Sequence, residues 1–526
     1  MDFIHVRLSL IITVTVCTSA LPDQRFFMID ARQFIITNTA YQPEGWLSRP
    51  LSEGWILSYQ EDLAVHSSPD GACLLLGDAW QTDPQQPSPI ELVTQGRLTS
   101  REVFLNAEFS WCGRYVVLFQ GELFLDASGS FGVFYGKGMV SSSLHVMSLA
   151  GGFTIPEPLI HHGIGPDYLP GAVTMDPEIQ RLLPSQTLIL QTLQPFLRKI
   201  LSGSSPSYPS DEERTAGFVR YFAEGLRNMA AHFAGMPIYL ALTGGRDSRA
   251  ALAALEYAGI PYETFTLEHR QMMRGDITVP QLLAERLGRH HHWIPRNKSA
   301  YSQALAQDYR VHTSGMVVDE DALFYAYGQY QELQKTKGEP VLILRNNIWE
   351  TVCDIYYSDY HLDHWDQETT LHYLMPAAAA FPSIRKSLDD WYQLAAKDNL
   401  NTEWSAADRF YYDTRGGCWT AGIEQGFDVM EGIHSVQAVN CRLFLSILMG
   451  YSVDKRQTKA HQEAIAAFAC PAIADIRYGD TSSETLPAKV WNRCSNVWAR
   501  LRNLSWQLSH WGIRRTVLFF RAAKHW

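Results

Sequence analysis

A strand, a glycine-containing turn, a helix and a second strand follow one another within residues 236–267. Residues 237–242 form a short, almost continuously apolar run, which is typical of a strand that is buried on both faces of a sheet. The Ala- and Leu-rich residues 249–257 predict a helix that ends at Gly259, and residues 262–267 predict the second strand. This succession predicts a parallel βαβ unit, which restricts this part of the chain to a parallel α/β fold.

The chain before about residue 195 differs in character. Short alternating runs such as 26–37 and 113–129 are separated by Gly, Pro, Ser and Asp turns, which predicts a mostly β structure. Because 526 residues are too many for one ordinary core, we expect two domains, a β-rich one over 1–195 and an α/β one over 196–526. The other elements predicted in the second domain are helices over 211–235 and 276–288, strands over 290–294 and 341–344, and a mainly helical region over 405–526.

The turn between the first strand and its helix carries the clearest chemistry. Its two glycines allow close approach of a ligand and positive φ, and N–H groups at a helix start favour an anion. Asp247 would repel phosphate by itself and is therefore typical of a Mg²⁺ ligand, while Arg246 or Arg249 could offset phosphate charge. A tight turn with a good helix cap explains the pattern as well. The candidate binding residues are Leu242, Thr243, Gly244, Gly245, Arg246, Asp247 and Ser248.

This loop resembles the SGGxDS pyrophosphate loop of the N-type ATP pyrophosphatases, with Thr243 in place of the usual serine. The likeness continues through residues 264–267, 275–276 and 284–292, which follow the order found in asparagine synthetase. Residues 111–136 resemble the β-sheet of that family's N-terminal glutaminase domain, and 168–171 its closing Pro-Gly turn. The chain therefore resembles the asparagine synthetase and β-lactam synthetase group.

The resemblance implies a glutaminase-like first domain of the N-terminal-nucleophile type and an ATP-binding synthetase domain of the adenine nucleotide α-hydrolase type. It implies ATP and Mg²⁺ as cofactors, a small-molecule or peptide carboxylate that is adenylated, and an amine or ammonia that then forms the amide. Thr266 and Leu267 would line the adenine pocket. The glutaminase nucleophile is missing, because Asp2 directly follows Met1 and Cys17 is internal, so we expect no glutaminase activity.

The family's later acidic loop is altered here. Residues 344–350 stand in its place without the glycines and the aspartate, but Glu350 remains as a catalytic residue and second metal ligand, or as a plain surface residue. Arg345 would suit a phosphate or a substrate carboxylate. The family's lysine that neutralises charge in the transition state is matched best by Lys489. Its rivals are Lys455, Arg456 and Lys459.

Other polar residues allow two interpretations. Arg415 and Arg442 lie in segments that resemble those around the family's substrate cleft, and they could bind a carboxylate or be buried structural arginines. Residues 268–270 follow the second strand at the sheet edge where open α/β folds bind ligands. Histidines 290–292 are adjacent in a predicted strand, so they point to opposite faces and we expect a structural role rather than one shared ion.

Charge, cysteines and termini bear on partners and location. The formal net charge of −11 does not favour nucleic acid, and the eight cysteines, without a Cys-x-x-Cys pair, are typical of scattered buried thiols. Residues 8–16 resemble the apolar part of a secretory signal, but their β-branched residues favour a strand, so we expect a cytoplasmic protein. Residues 489–526 hold eight Lys or Arg and no Asp or Glu, which predicts a closing helix or a peripheral contact with a membrane surface or anionic partner.

Two classes of function follow from these observations. The first is an AMP- and pyrophosphate-forming amide ligase. The alternative is a degenerate paralogue that keeps the fold as a binding or scaffold protein without catalysis. The lost glycines at 345–350 favour the alternative, whereas the intact Gly244, Gly245, Asp247 and Ser248 favour the ligase.

Overall fold

The computed structural model describes residues 31–39, 41–154, 168–203, 205–268, 274–295, 330, 333, 340–358, 365–371, 381–428 and 432–479. The strands are β1 Phe34–Thr37, β2 Leu47–Pro50, β3 Ile56–Tyr59, β4 Val65–Ser67, β5 Cys73–Gln81, β6 Trp111–Phe119, β7 Glu122–Leu125, β8 Phe134–Gly136, β9 Met139–Ser141, β10 Ile179–Arg181, β11 Gln186–Ile189, β12 Gln194–Leu197, β13 Ile238–Ala241, β14 Glu263–Leu267, β15 His291–Ile294, β16 Val341–Arg345 and β17 Ile433–Gln437.

The α-helices are α1 Pro89–Thr94, α2 Arg101–Glu108, α3 Leu144–Gly151, α4 Asp211–His232, α5 Arg246–Ala258, α6 Arg274–Leu287, α7 Ile355–Ser358, α8 Gln367–Thr369, α9 Pro382–Ala396, α10 Ala406–Phe410, α11 Ala421–Phe427, α12 Arg442–Met449, α13 Val453–Gln457 and α14 Ala460–Ala469. A π-helix spans Tyr411–Thr420, and short 3-10 helices span Ser52–Gly54, Trp349–Val352 and Pro471–Ile473.

The first part of the chain contains two stacked antiparallel sheets of six strands each. Their orders are β10-β8-β9-β1-β3-β2 and β12-β11-β7-β6-β5-β4, and Leu57, Leu76 and Val116 pack between them. Helix α2 covers the outer face of the second sheet, where the ring of Phe104 stacks on Phe119 at 5.1 Å. Because both faces are covered, β6 is buried along its whole length, whereas the alternating pattern of 113–129 predicts a half-buried strand.

The second part contains a parallel sheet of five strands in the order β15-β14-β13-β16-β17. Helices α4, α5, α6 and α14 cover one face, and α11 packs on the other. Strands β13, β14 and β15 follow one another in one direction across the sheet, and β16 and β17 lie on the other side of β13. The strand order therefore reverses between β13 and β16, which is where open α/β sheets bind ligands beyond the carboxyl ends of their strands.

The predicted βαβ unit and the helices around it are confirmed, with ends that move by a few residues. The prediction of a mainly helical region over 405–526 is confirmed for the residues described up to Gly479, but residues 433–437 form the strand β17. This strand contains His434, Ser435 and Gln437 and so lacks a continuous apolar run. It is a strand because β16 pairs with it along its whole length, which is a tertiary effect that local propensity does not carry.

Two buried charge clusters join the two parts. Glu108 accepts hydrogen bonds from Arg442 and from Arg198, the latter at 3.0 Å, and all three side chains are almost fully buried. Asp428 is 2.7 Å from Arg114 and 2.8 Å from Arg32. Burial alone would raise the pKa of Asp428, but the two guanidinium groups lower it. These ion pairs therefore join the antiparallel sheets to the part of the chain that carries the parallel sheet.

The cysteine prediction is confirmed for the six cysteines that the structure describes. All six are reduced and buried, and burial raises the pKa of each thiol. They are therefore protonated at neutral pH and are not activated nucleophiles. Cys17 and Cys494 lie outside the described residues, as does the basic C-terminal stretch. Within the described ranges, no helix has the length and apolar character required to cross a bilayer.

His461 on α14 gives the fold a testable pH dependence. Its Nδ1–H donates to the Lys455 carbonyl at 3.0 Å, and burial lowers its pKa to about 4. The ordinary pKa is about 6.5, so the unfolded chain binds the extra proton between pH 6.5 and 4. The stabilisation is therefore present above pH 6.5 and is lost as the pH falls through this window.

We expect the stability advantage of the wild type over His461→Gln to shrink by about 2 kcal/mol between pH 7 and pH 5. Urea unfolding of both proteins at the two pH values measures this difference. An advantage that stays constant with pH would contradict the buried neutral imidazole.

Candidate functional site

The glycine loop leaves the carboxyl end of β13 and enters α5 at the point where the strand order reverses. Neither Gly244 nor Gly245 has a positive φ, so that part of the sequence prediction is wrong. The requirement for glycine is steric instead. A Cβ on Gly244 would lie 2.8 Å from the carbonyl oxygen of Gly275 and 3.0 Å from the Cα of Gly479. Three backbones therefore meet here without side chains between them.

Hydroxyl and carboxylate groups hold the turn in shape. The Thr243 N–H donates to the Ser248 hydroxyl at 3.1 Å, and the Gly245 N–H donates to the Thr243 hydroxyl at 3.2 Å. The Gly244 N–H donates to Oδ1 of Asp276 at 2.9 Å. The loop amide of Gly244 is thus already hydrogen-bonded to a carboxylate oxygen. The N-cap residue of α5 is Gly245, which has no side chain to cap the helix, whereas α1 to α4 each have a capping serine.

The two arginines of the loop contact the C-terminal end of the described chain. Arg249 is buried and donates to the carbonyls of Ile476 and Arg477, and its guanidinium lies 3.7 Å from the ring centroid of Tyr478. Burial lowers its pKa. Arg246 forms an ion pair of 2.6 Å with Glu463 on α14. These contacts dock residues 476–479 on the loop, and the Gly479 N–H donates to the Gly244 carbonyl at 2.8 Å.

Asp247 and Glu350 lie at the same edge of the sheet. Asp247 lies in the first turn of α5, which follows β13, and Glu350 lies in the 3-10 helix that follows β16, and these two strands pair in parallel. Burial raises the pKa of the Cys353 thiol most, and Asp247 and Glu350 raise it further, whereas Lys459 lowers it. Lys459 is the residue before α14. It has a left-handed backbone, φ 60°, at the start of α14, which is uncommon for a non-glycine residue.

The other rivals for the lysine role are engaged elsewhere. Lys455 pairs with Asp211 at 2.7 Å, and Arg456 pairs with the buried Asp408 at 3.2 Å. Lys489 lies outside the described residues, and so do His269 and Arg270. Lys459 stands at the start of α14, and the packing of this helix against α5 gives no local sequence signal.

Aromatic and polar residues surround Glu350. Its carboxylate accepts a hydrogen bond from the Tyr411 hydroxyl. Arg415 follows one turn later and lies 3.6 Å from the ring centroid of Trp419. Burial alone would lower the pKa of Arg415, but nearby groups that include Tyr411 and Glu350 raise it. Arg415 is therefore one helical turn from the residue that binds Glu350, and its raised pKa keeps it cationic.

The other residues predicted to bind the substrate or the adenine lie at the strand ends or in the core. Arg345 ends β16. Its guanidinium lies 3.8 Å from the buried Glu424 and donates a hydrogen bond of 3.2 Å to Oδ1 of Asn347. Thr266 donates its hydroxyl to the Leu242 carbonyl at 2.6 Å and so ties β14 to the loop, and Leu267 is partly exposed at the strand end. Arg442 is fully buried against Glu108, which favours the structural interpretation and not a substrate role.

Three features of the site were missed in the sequence. These are Asp276 as the acceptor of the Gly244 amide, the docking of Tyr478 on Arg249, and the contact of Gly479 with the loop. The Gly275-Asp276 pair is visible in the sequence at the start of the predicted helix over 276–288, and could have indicated a second glycine near the loop. The contact from residue 479 joins positions more than two hundred residues apart and leaves no such signal.

The sheet order and the loop together define an open parallel α/β domain with an anion-binding turn at its switch point. No family model matches the chain, and no curated protein matches it. Among solved structures, 32 chains match. The glutamine-dependent NAD+ synthetase from Acinetobacter baumannii in complex with ADP is 13% identical, with 43% of this chain and 39% of that chain covered and a TM-score of 0.21.

Two further solved structures are similar in part. NMN synthetase from Francisella tularensis is 15% identical, with 38% of this chain and 81% of that chain covered and a TM-score of 0.19. NAD+ synthetase from Burkholderia pseudomallei is 12% identical, with 53% and 93% covered and a TM-score of 0.19.

Proposed function

We propose that this chain is an ATP-dependent ligase that joins a carboxylate to an amine or ammonia and releases AMP and pyrophosphate, as the asparagine synthetase group does. The observation that carries the proposal is the Gly244 amide, which binds an anionic oxygen at the switch point of a parallel sheet. Two more carboxylates, Asp247 and Glu350, lie at the same edge, where phosphate and a divalent cation would meet.

The donor set of the loop fits a pyrophosphate group. The amides of Gly244 and Gly245 and the hydroxyls of Thr243 and Ser248 are hydrogen-bonding groups at the start of α5, whose dipole favours negative charge. A phosphate oxygen would replace the Asp276 carboxylate on the Gly244 amide. Thr266 and Leu267, at the end of the neighbouring strand, would lie beside the adenine.

The acidic residues fit a magnesium ion. Oxygen ligands from one or two carboxylates, completed by phosphate oxygens, are the usual environment of Mg²⁺ in nucleotide sites. Asp247 and Glu350 would supply these ligands. Bound Mg²⁺ would offset the charge of the phosphates, and Asp247 would otherwise repel them because it lies in the first turn of α5.

The carboxylate substrate would lie between Glu350 and the basic side chains. Arg415, held on Trp419, and Arg345, at the end of β16, are the candidates to pair with it. A carboxylate oxygen attacks the α-phosphorus, the bond to the bridging oxygen breaks, and pyrophosphate leaves. The amine nitrogen then attacks the acyl carbon, AMP leaves with the bonding electrons, and the nitrogen loses a proton to form the amide.

A lysine should offset the charge that develops at the α-phosphate. Lys489 stays the candidate from the family resemblance. Lys459 is the second candidate, because among the described residues it acts electrostatically on the same thiol, Cys353, as Asp247 and Glu350 do.

A second candidate function is a binding or scaffold role without catalysis. It is favoured by the altered segment after β16, where Asn346 donates to the Ala241 carbonyl and the Asn347 N–H donates to Gln437. These contacts occupy the polar groups of the turn that stands in place of the family's acidic loop. The intact Asp247 and the anion on the Gly244 amide oppose this candidate.

Nucleotide analysis separates the two candidates. The full chain is incubated with ATP, Mg²⁺, ammonium and a panel of amino-acid and other small carboxylates, and the products are separated by chromatography. Carboxylate-dependent AMP and pyrophosphate support the ligase. ADP and phosphate in their place would overturn the adenylation mechanism, and ATP binding without any turnover across the panel would favour the binding protein.

A further inference from the structure

Two histidines and a glutamate converge at the amino-terminal end of the parallel sheet, away from the glycine loop. Nδ1 of His290 lies 2.8 Å from Nε2 of His292 and 3.6 Å from Oε2 of Glu263, and Nε2 of His292 is hydrogen-bonded to the same carboxylate oxygen. All three ligand atoms lie within 4.8 Å of one another. One oxygen and two imidazole nitrogens therefore point to a common centre.

The register of the strands explains this convergence. Strand β14 pairs in parallel with β15, with Thr264 opposite His291, so Glu263 stands opposite His290. Side chains alternate along a strand, and His290 and His292 therefore share the face of Glu263, while His291 points to the other face. There, Nδ1 of His291 is 2.9 Å from the Thr264 hydroxyl.

As predicted, the three adjacent histidines do not share one site, because His291 points away. His290 and His292 do lie together. Residues two apart do share a face, and the third ligand comes from the neighbouring strand. The packing also orients the ligands, because the ring of His292 meets Tyr239 edge to face at 5.6 Å. His292 and Glu263 are mostly buried, with 16% and 29% of their side chains exposed, and His290 is open to solvent.

We propose that Glu263, His290 and His292 bind a divalent transition-metal ion of the zinc class. Imidazole nitrogen and carboxylate oxygen suit Zn²⁺, whereas Mg²⁺ and Ca²⁺ prefer oxygen ligands alone. In a tetrahedral zinc site with bonds of 2.0–2.1 Å, ligand atoms are about 3.4 Å apart. To reach this geometry, the distances among Nδ1 of His290, Nε2 of His292 and Oε2 of Glu263 need to change by at most about 1 Å. Three protein ligands leave the fourth position, on the exposed side of His290, for water.

This site is independent of the proposed adenylation chemistry. Glu263 pairs in register with Tyr239, four residues before Thr243, which is about 13 Å along the strand direction. An ion here would join the edge strand β15 to β14 at their amino ends. Its effect is expected on the stability of the edge strand and not on ATP binding.

Metal binding to the full chain tests the proposal. The metal-free protein is titrated with Zn²⁺ against a chromophoric chelator, in buffer without Mg²⁺ or ATP, and the same titration is made with His290→Ala and Glu263→Gln. The wild type should bind one equivalent, and each variant should bind at least about 100-fold more weakly, since even loss of an outer hydrogen bond costs 10–100-fold. His290→Ala changes an exposed side chain, so the fold should be unaffected.

His291→Gln is the matched control, because it removes the adjacent histidine from the opposite face. It should bind Zn²⁺ like the wild type. Substitution of Co²⁺ adds a spectroscopic test, in which the visible bands of a nitrogen and oxygen site appear without a thiolate charge-transfer band. No zinc binding by the wild type, equal binding by wild type and His290→Ala, or a thiolate band would each overturn the proposal.

Discussion

Asp247→Asn is expected to reduce carboxylate-dependent pyrophosphate release at least about 100-fold. The change keeps the size of the side chain and its place in the first turn of α5 but removes the charge that would hold Mg²⁺ beside the loop. Loss of one group that stabilises developing charge commonly costs about 100- to 1,000-fold in rate. The released pyrophosphate is hydrolysed with pyrophosphatase, and a coupled assay of the resulting phosphate measures the rate.

Asp454→Asn is the control for this variant. Asp454 is an exposed aspartate in the first turn of α13, so its replacement tests the loss of negative charge at a helix start alone. That loss costs about 0.3–1 kcal/mol of stability and should leave turnover unchanged. Wild-type turnover by Asp247→Asn would contradict the assignment of this carboxylate to the reaction.

Arg442→Met is expected to destabilise the protein by about 3 kcal/mol or more without a specific effect on substrate binding. The guanidinium pairs with Glu108 and donates to the carbonyls of Leu125 and Asp126 at 3.1 and 3.2 Å. Removing it leaves a fully buried carboxylate with Arg198 as its remaining cation. Urea unfolding gives the free-energy change, and steady-state kinetics gives the KM of the carboxylate.

The matched comparison for this prediction is Arg415→Met. Arg415 lies beside Glu350 on Trp419, where the proposed function places the carboxylate substrate, so its loss should raise KM more than it lowers stability. Arg442→Met should therefore mainly lower the free energy of unfolding, whereas Arg415→Met should mainly raise the KM of the carboxylate. A raised KM with unchanged stability in Arg442→Met would show that Arg442 binds substrate and that its pair with Glu108 is secondary.

Local patterns predicted the parts of this fold that local physics controls. The glycine loop and the βαβ unit were predictable because a buried strand, a tight turn and a helix each leave a signal within a few residues. Strand β17 was not, because its polar residues become a strand only through pairing with β16. The burial of β6 on both faces likewise depends on tertiary packing, with α2 on one face and the other antiparallel sheet on the opposite face.

The same distinction applies to the sites. The residues of the loop were predicted from their chemistry, and the structure brings Asp247 and Glu350 to one edge of the sheet. The carboxylate on the Gly244 amide and the contact from Gly479 depend on chain crossings and were missed. Alternation along a strand correctly separated His291 from its neighbours, but the glutamate that completes the cluster follows from the register of β14 on β15.

Thermal unfolding with and without ATP and Mg²⁺ tests whether the glycine loop binds a nucleotide, and it needs no knowledge of the carboxylate substrate. A ligand that binds only the folded chain adds about 2.7 kcal/mol of stability at a hundredfold excess over its Kd. We expect a rise in Tm that requires ATP and Mg²⁺ together and is lost in Asp247→Asn. No rise at millimolar ATP with Mg²⁺, or the same rise in Asp247→Asn, would contradict a nucleotide site at the glycine loop.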